Sequence, residues 1–182
     1  MLNFGDARSE KELQGMVARQ LRAIGYVVHE EVHVRAPADM CRTGSRARRV
    51  DLYVDCGGWS IGVEMKLTFN AKSRTEVKHQ CITAAAATSW VCRIDGTYQH
   101  LRRPEYVLAT SKDHLSGKDP SPADWQTALW QNGCGTLKAG ANGMDWRMHV
   151  AYPRRPVRRG ADMQMQTLTV SLDQNLYEVP IA

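Results

Sequence analysis

The chain has 182 residues, with 24 lysines and arginines against 19 aspartates and glutamates, for a formal net charge of +5. That length suits one domain with a substantial core, and 43% apolar with 24% charged residues excludes a fibrous or disordered chain. The longest weakly polar run, Cys81 to Cys92, is too short to span a membrane, MLNFGDARSEKEL lacks the pattern of a secretory leader, and five cysteines without C-x-x-C spacing exclude a disulfide frame or zinc site, so a cytoplasmic protein with reduced thiols is expected.

Ser9-Glu10-Lys11-Glu12 is a capping-box pattern that opens a helix. Leu13, Met16, Val17, Leu21 and Ile24 form its apolar stripe, and Gly25 ends it. Tyr26 to Val34 reads as a first strand. His29 and His33 lie in it, where a four-residue gap gives no shared helical face for a metal. Arg35 to Arg46 is a loop with Pro37 and Gly44. The segment from Arg49 to Leu67, RVDLYVDC-GG-WSIGVEMKL, is two alternating β-rich runs about a Gly57-Gly58 turn, the signal of a tight hairpin.

Asn70 to Thr75 reads as a polar connection into a helix over about Glu76 to Val91, and Glu105 to Thr110 as a fourth strand. Pro122 to Asn132 is helical, with Trp125, Leu129 and Trp130 on its apolar edge. Gly133 to Gly143 is glycine-rich and reads as a loop. Trp146, Met148, Val150 and Tyr152 alternate, as do Leu168, Val170 and Leu172, which predicts a C-terminal hairpin with its tip over Pro153 to Asp162. No repeat or linker divides the chain, so residues 1–182 are read as one domain.

The Gly57-Gly58 turn sets the pairing register. Cys56 faces Trp59, and stepping outward brings Asp51 opposite Glu64. Lys66 shares their face, while Leu52, Val54, Ile61 and Val63 go to the other and supply core. Two neighbouring carboxylates repel unless a cation lies between them, and carboxylate oxygens are ligands that magnesium prefers. A nearby lysine orients water or stabilises charge growing on a phosphate. The spacing alone also fits a solvent-facing ion-pair ladder, which Arg49 and Asp55 would extend and Tyr53 and Gly62 would interrupt.

This arrangement resembles the PD-(D/E)xK nuclease superfamily, to which many restriction endonucleases and Holliday-junction resolvases belong. Asp51 matches the first acid, Glu64 the second and Lys66 the lysine; Val50 stands where the name-giving proline would be. The resemblance covers about residues 9–111 in the order helix, three strands, helix, strand. It implies an α/β protein with a restriction-endonuclease-like core, a mixed sheet flanked by helices, and a C-terminal α+β extension over about 112–182. It also implies a DNA endonuclease using Mg2+ or Mn2+, with Asp51, Glu64 and the Met65 carbonyl as metal ligands and Lys66 positioning the attacking water. In the resolvase-like branch a glutamate of the first helix joins the metal; Glu12 is the best match and Glu10 the substitute. Gln80 falls where several branches place a polar residue facing the site, although Ala84 stands where one of them has tyrosine.

Basic residues bracket the proposed site. Arg46, Arg48 and Arg49 lead into the Asp51 strand, and Lys72, Arg74 and Lys78 follow the Glu64 strand. Arg154, Arg155, Arg158 and Arg159 cluster at the expected C-terminal tip. These are the candidate nucleic-acid contacts. DNA is the expected partner, with nothing to separate it from RNA and no membrane association. The alternatives are a structure-selective resolvase, which implies a symmetric homodimer, and a non-catalytic DNA-binding or assembly protein retaining the fold.

Overall fold

The computed structural model describes residues 4–40, 47–118, 121–130, 132–139, 146–153 and 165–171. The first helix, α1, spans Glu10–Ala23. Ser9 Oγ accepts the Glu12 N–H at 3.1 Å, and the Glu12 carboxylate accepts the Arg8 N–H at 2.8 Å, so both ends of the capping pattern are engaged. Leu13, Met16, Val17, Ala18 and Leu21 turn inward, and Gln14 is buried with them. Gly25 leaves the helix at φ 101°, a conformation that favours glycine.

Three antiparallel strands follow: β1 over Val27–Arg35, β2 over Ala47–Asp55 and β3 over Ser60–Lys66. The β2–β3 register pairs Asp55 with Ser60, Val54 with Ile61 and Leu52 with Val63, as the Gly57-Gly58 turn predicts. Helix α2 covers Ala71–Ala85, starting earlier and ending earlier than the expected span of 76 to 91. Its start is set by Asn70, which accepts the Ser73 N–H at 3.0 Å while Ser73 Oγ accepts the Asn70 N–H at 2.9 Å. Its end yields to a hairpin absent from the sequence reading: β4, Ser89–Ile94, and β5, Thr97–Leu101, about an Asp95-Gly96 turn with both residues at positive φ.

Strand β6, Tyr106–Ser111, runs parallel to β3. Two short helices follow, α3 at Lys112–Leu115 and α4 at Ala123–Trp130. The glycine-rich stretch expected to be a loop instead contains β7, Cys134–Ala139, parallel to β6. Strands β8, Trp146–Pro153, and β9, Met165–Ser171, form the expected antiparallel pair; the tip with Arg154, Arg155, Arg158 and Arg159 lies outside the described residues, as does Arg46.

All described strands join one mixed sheet in the order β5-β4-β1-β2-β3-β6-β7-β8-β9, so the protein is α/β and the chain beyond residue 111 continues the same sheet. Helix α1 packs on one face against Leu52, Val54, Ile61, Val63, Met65 and Leu108. On the other, α2 and α4 contribute Val77, Cys81, Ala84, Trp125 and Leu129 to a core with Val32, Val34, Val50, Tyr53 and Trp90. Covering both faces buries β3 along nearly its whole length.

One irregularity shapes the site. Val50 belongs to the α2-side core and Leu52 to the α1-side core, although residues two apart on a regular strand share a face. The alternation therefore breaks at Asp51. Across the ladder the matching break is Glu31, unpaired between Glu30↔Leu52 and Val32↔Val50 and held at φ 53°.

Candidate functional site

The β2–β3 ladder stops at Leu52↔Val63, and Asp51 is the first residue beyond it. Its carboxylate accepts the Met65 backbone N–H at 2.6 Å, replacing the strand partner that the ladder no longer supplies. Its backbone carbonyl accepts a 2.7 Å hydrogen bond from Gln14 Nε2, so α1 holds Asp51 from the other side. Sequence reasoning missed Gln14. The signal was a lone amide inside the stripe of Leu13, Met16 and Val17, a position that needs a buried partner.

Glu64 is 3% exposed. Burial pushes its carboxyl well above the usual range, and the Asp51 charge pushes it further. Asp51 is raised to about 6, first by burial, against the opposing pull of the Met65 N–H and the Lys66 ammonium. A solvent-facing ladder is thereby ruled out: one acid is buried and neither is ion-paired among the described residues. Lys66, with 12% of its side chain exposed, instead reaches Glu10 of α1 at 3.6 Å and Glu76 of α2 at 3.7 Å.

Of the two first-turn glutamates, it is Glu10 that contacts Lys66, and Glu12, the expected match, is engaged in the helix cap. Both lie in the first turn, but Glu12 is turned back into the cap while Glu10 faces the strand that carries Lys66. Gln80 does meet the site. With Glu64 it lines a cavity of about 580 Å³ between the sheet and one face of α2, together with Thr75, Glu76, His79 and Thr83. Arg48, Arg49 and Lys72 edge the same cavity, and Arg49 also pairs with Glu31 at 3.4 Å. Arg74 and Lys78 do not. They lie along a different stripe of α2 and line a smaller cavity with Pro122 and Trp125, because helical positions two apart face different ways. Cys81 is fully buried with its thiol pushed well up by burial, which disqualifies it as a nucleophile.

No family model, curated protein or solved structure matches the chain. Its chemistry is thus read from the site alone. Among the described residues no group of three or more His, Cys, Asp and Glu side chains gathers to hold a metal. Two carboxylates lie close enough to interact: burial raises both, the Asp51 charge raises Glu64 further, and the Lys66 ammonium opposes both shifts. That donor set fits magnesium, which takes one or two protein carboxylates and completes its shell with water and substrate phosphate. It does not fit a structural zinc site, which needs four protein ligands. No described helix is long and apolar enough to cross a membrane.

Proposed function

We propose that the protein is a magnesium- or manganese-dependent deoxyribonuclease that hydrolyses phosphodiester bonds. The observation that carries this reading is the meeting of the Asp51 and Glu64 carboxylates where β2 and β3 part, with Lys66 next along β3. The order α1-β1-β2-β3-α2-β6, with β3 and β6 parallel, agrees with the order of the PD-(D/E)xK core; the β4–β5 hairpin is an insertion into it.

Asp51 and Glu64 would hold the metal, with the Met65 carbonyl as the third protein ligand. A divalent ion bound there polarises a phosphoryl oxygen and lowers the pKa of a bound water. The Met65 N–H fixes the Asp51 carboxylate on one side and Gln14 fixes its backbone, so the acid is oriented before substrate arrives. Glu10 and Glu76 hold the Lys66 ammonium between α1 and α2, where it orients the attacking water and offsets charge growing on the phosphate. Arg48, Arg49 and Lys72 offer positive charge to the nucleic-acid backbone at the cavity edge.

The test is incubation of the purified protein with linear, supercoiled, branched and single-stranded DNA, and with RNA, with and without magnesium. Metal-dependent cleavage of DNA is expected, lost in Asp51→Asn and reduced about a hundredfold or more in Lys66→Ala. Lys66→Ala should keep the native fold, read as a native thermal melt, because it removes the largely buried charge itself and leaves Glu10 and Glu76, each about half exposed, to water. Cleavage that persists undiminished in Lys66→Ala would reduce the lysine to an ion-pair partner.

A further inference from the structure

We infer that the cavity between β3 and α2 receives one unstacked nucleotide of a single strand, with its base read by His79, Gln80 and Thr83. The inference rests on the nuclease reading for the neighbouring phosphate and adds a substrate class to it.

Three buried polar atoms on this face of α2 have no hydrogen-bond partner among the described residues: His79 Nε2, Gln80 Oε1 and Thr83 Oγ1. All three residues line the cavity. Thr83 is 2% exposed, so its hydroxyl lies at depth. Buried polar atoms are nearly always satisfied, and three orphans on successive positions of one helix face mark a place where a ligand supplies the bonds. The ligand must present polar edge atoms deep in the cavity. It must also tolerate Val34 and Ala84, which make part of the wall apolar. A nucleobase does both: its faces are apolar and its edge carries donors and acceptors.

Charge and size agree with this occupant. Arg48 and Lys72 edge the cavity and make no ion pair among the described residues, so they are available to the phosphates on either side of the base. Glu64 lies on the lining, which brings the inserted nucleotide beside the acid pair. A volume of about 580 Å³ suits one small molecule and not a duplex. A base within a stacked helix reaches such a cavity only by leaving the stack, which costs least in a single strand.

Binding in EDTA separates this proposal from cleavage. Fluorescence anisotropy of a labelled single-stranded 12-mer is compared with that of a hairpin duplex of the same sequence, for wild type, Gln80→Ala and Thr83→Val. The single strand should bind about tenfold tighter than the duplex. Each variant should weaken single-strand binding about fivefold or more, the consequence of an unmet buried hydrogen bond, while duplex binding stays as in wild type. Thr83→Val keeps the side-chain shape, and an unchanged thermal melt shows that its fold is native. Equal affinity for both DNAs, or wild-type single-strand binding by both natively melting variants, would overturn the proposal. A cleavage assay in magnesium is scored separately: metal-dependent cleavage with the overturning binding result removes the pocket alone, and the expected binding pattern without cleavage removes the nuclease reading alone.

Discussion

The Asp51 carboxylate accepts the Met65 backbone N–H at 2.6 Å, at the point where β2 leaves the ladder it forms with β3. A side chain has taken the role of a strand. The Met65 N–H is thereby satisfied beyond the last paired residues, and Asp51 and Glu64 come together where that ladder ends. The Gln14 amide does the same service for the Asp51 carbonyl from α1.

Holding these acids costs stability when no cation is bound. The ordinary Asp51 carboxyl titrates near 3.8 and the folded one at about 6. The folded state therefore keeps its proton longer than the unfolded chain does. Stability from this group is fully present below about pH 4 and is lost as pH rises through about 6, a loss of about 3 kcal/mol at full ionisation. In EDTA at pH 7, Asp51→Asn should melt higher than wild type, and the gap should close toward pH 4. Glu64→Gln should act in the same direction, since burial raises Glu64 as well. Calorimetry from pH 4 to 8 measures this; a variant no more stable than wild type at pH 7 contradicts it.

Gln14 provides a second measurement. Replacing it with methionine keeps the length and the apolar fit but removes the donor to the Asp51 carbonyl. Leaving that carbonyl unmet should cost about 1–3 kcal/mol in urea unfolding. Because the carbonyl belongs to a residue proposed to hold the metal, a magnesium titration of cleavage should also need more metal to reach half its maximum. Stability and metal requirement both at wild-type values would show that water replaces the amide without loss.

The sequence made the β2–β3 hairpin legible because Gly57-Gly58 leaves one way to pair the two runs, and that register brings Asp51 to Glu64. It hid the break at Glu31 and Asp51, since neither residue type announces a change of face. Helix α2 is expected past its true end because its alanine run continues to Ala87, while the Asp95-Gly96 turn, which is a hairpin signal, falls beyond that expected end. Strand β7 was concealed by its glycine neighbours; Gly135 pairs in the ladder with Leu108 and gains its place from the strands beside it. His79 and Thr83 were invisible as site residues because the helix was read as packing surface, and only the sheet beneath it shows which face is open.

Gly62 tests how tightly that sheet is closed. A Cβ at this position would lie 2.7 Å from Trp90 Cη2 and 3.2 Å from Cζ3, and Trp90 is buried at 1% exposure. The indole has little room to retreat, so Gly62→Ala should destabilise the fold by about 1–3 kcal/mol. Gly62 lies two residues before Glu64, so the strain falls on β3. A urea midpoint equal to that of wild type would mean that Trp90 turns aside freely.

Glu10 and Glu12 stand two residues apart in the first turn of α1 and have different duties. Glu12 accepts the Arg8 N–H, and its loss should weaken the helix cap by about 1 kcal/mol without altering turnover. Glu10 grips Lys66 together with Glu76. Glu10→Gln with Glu76→Gln should keep a native melt, because each amide still offers an oxygen acceptor to the largely buried Lys66 ammonium. The double variant frees the Lys66 ammonium to sample other positions, so kcat should fall about tenfold, the scale of a misoriented catalytic group. KM for DNA should hold steady or drop, since two negative charges leave the approach of a polyanion. Single-turnover cleavage by the three proteins separates the two glutamates. Loss of turnover in Glu12→Gln with a native melt, and none in the Glu10/Glu76 double variant, would return the catalytic role to Glu12.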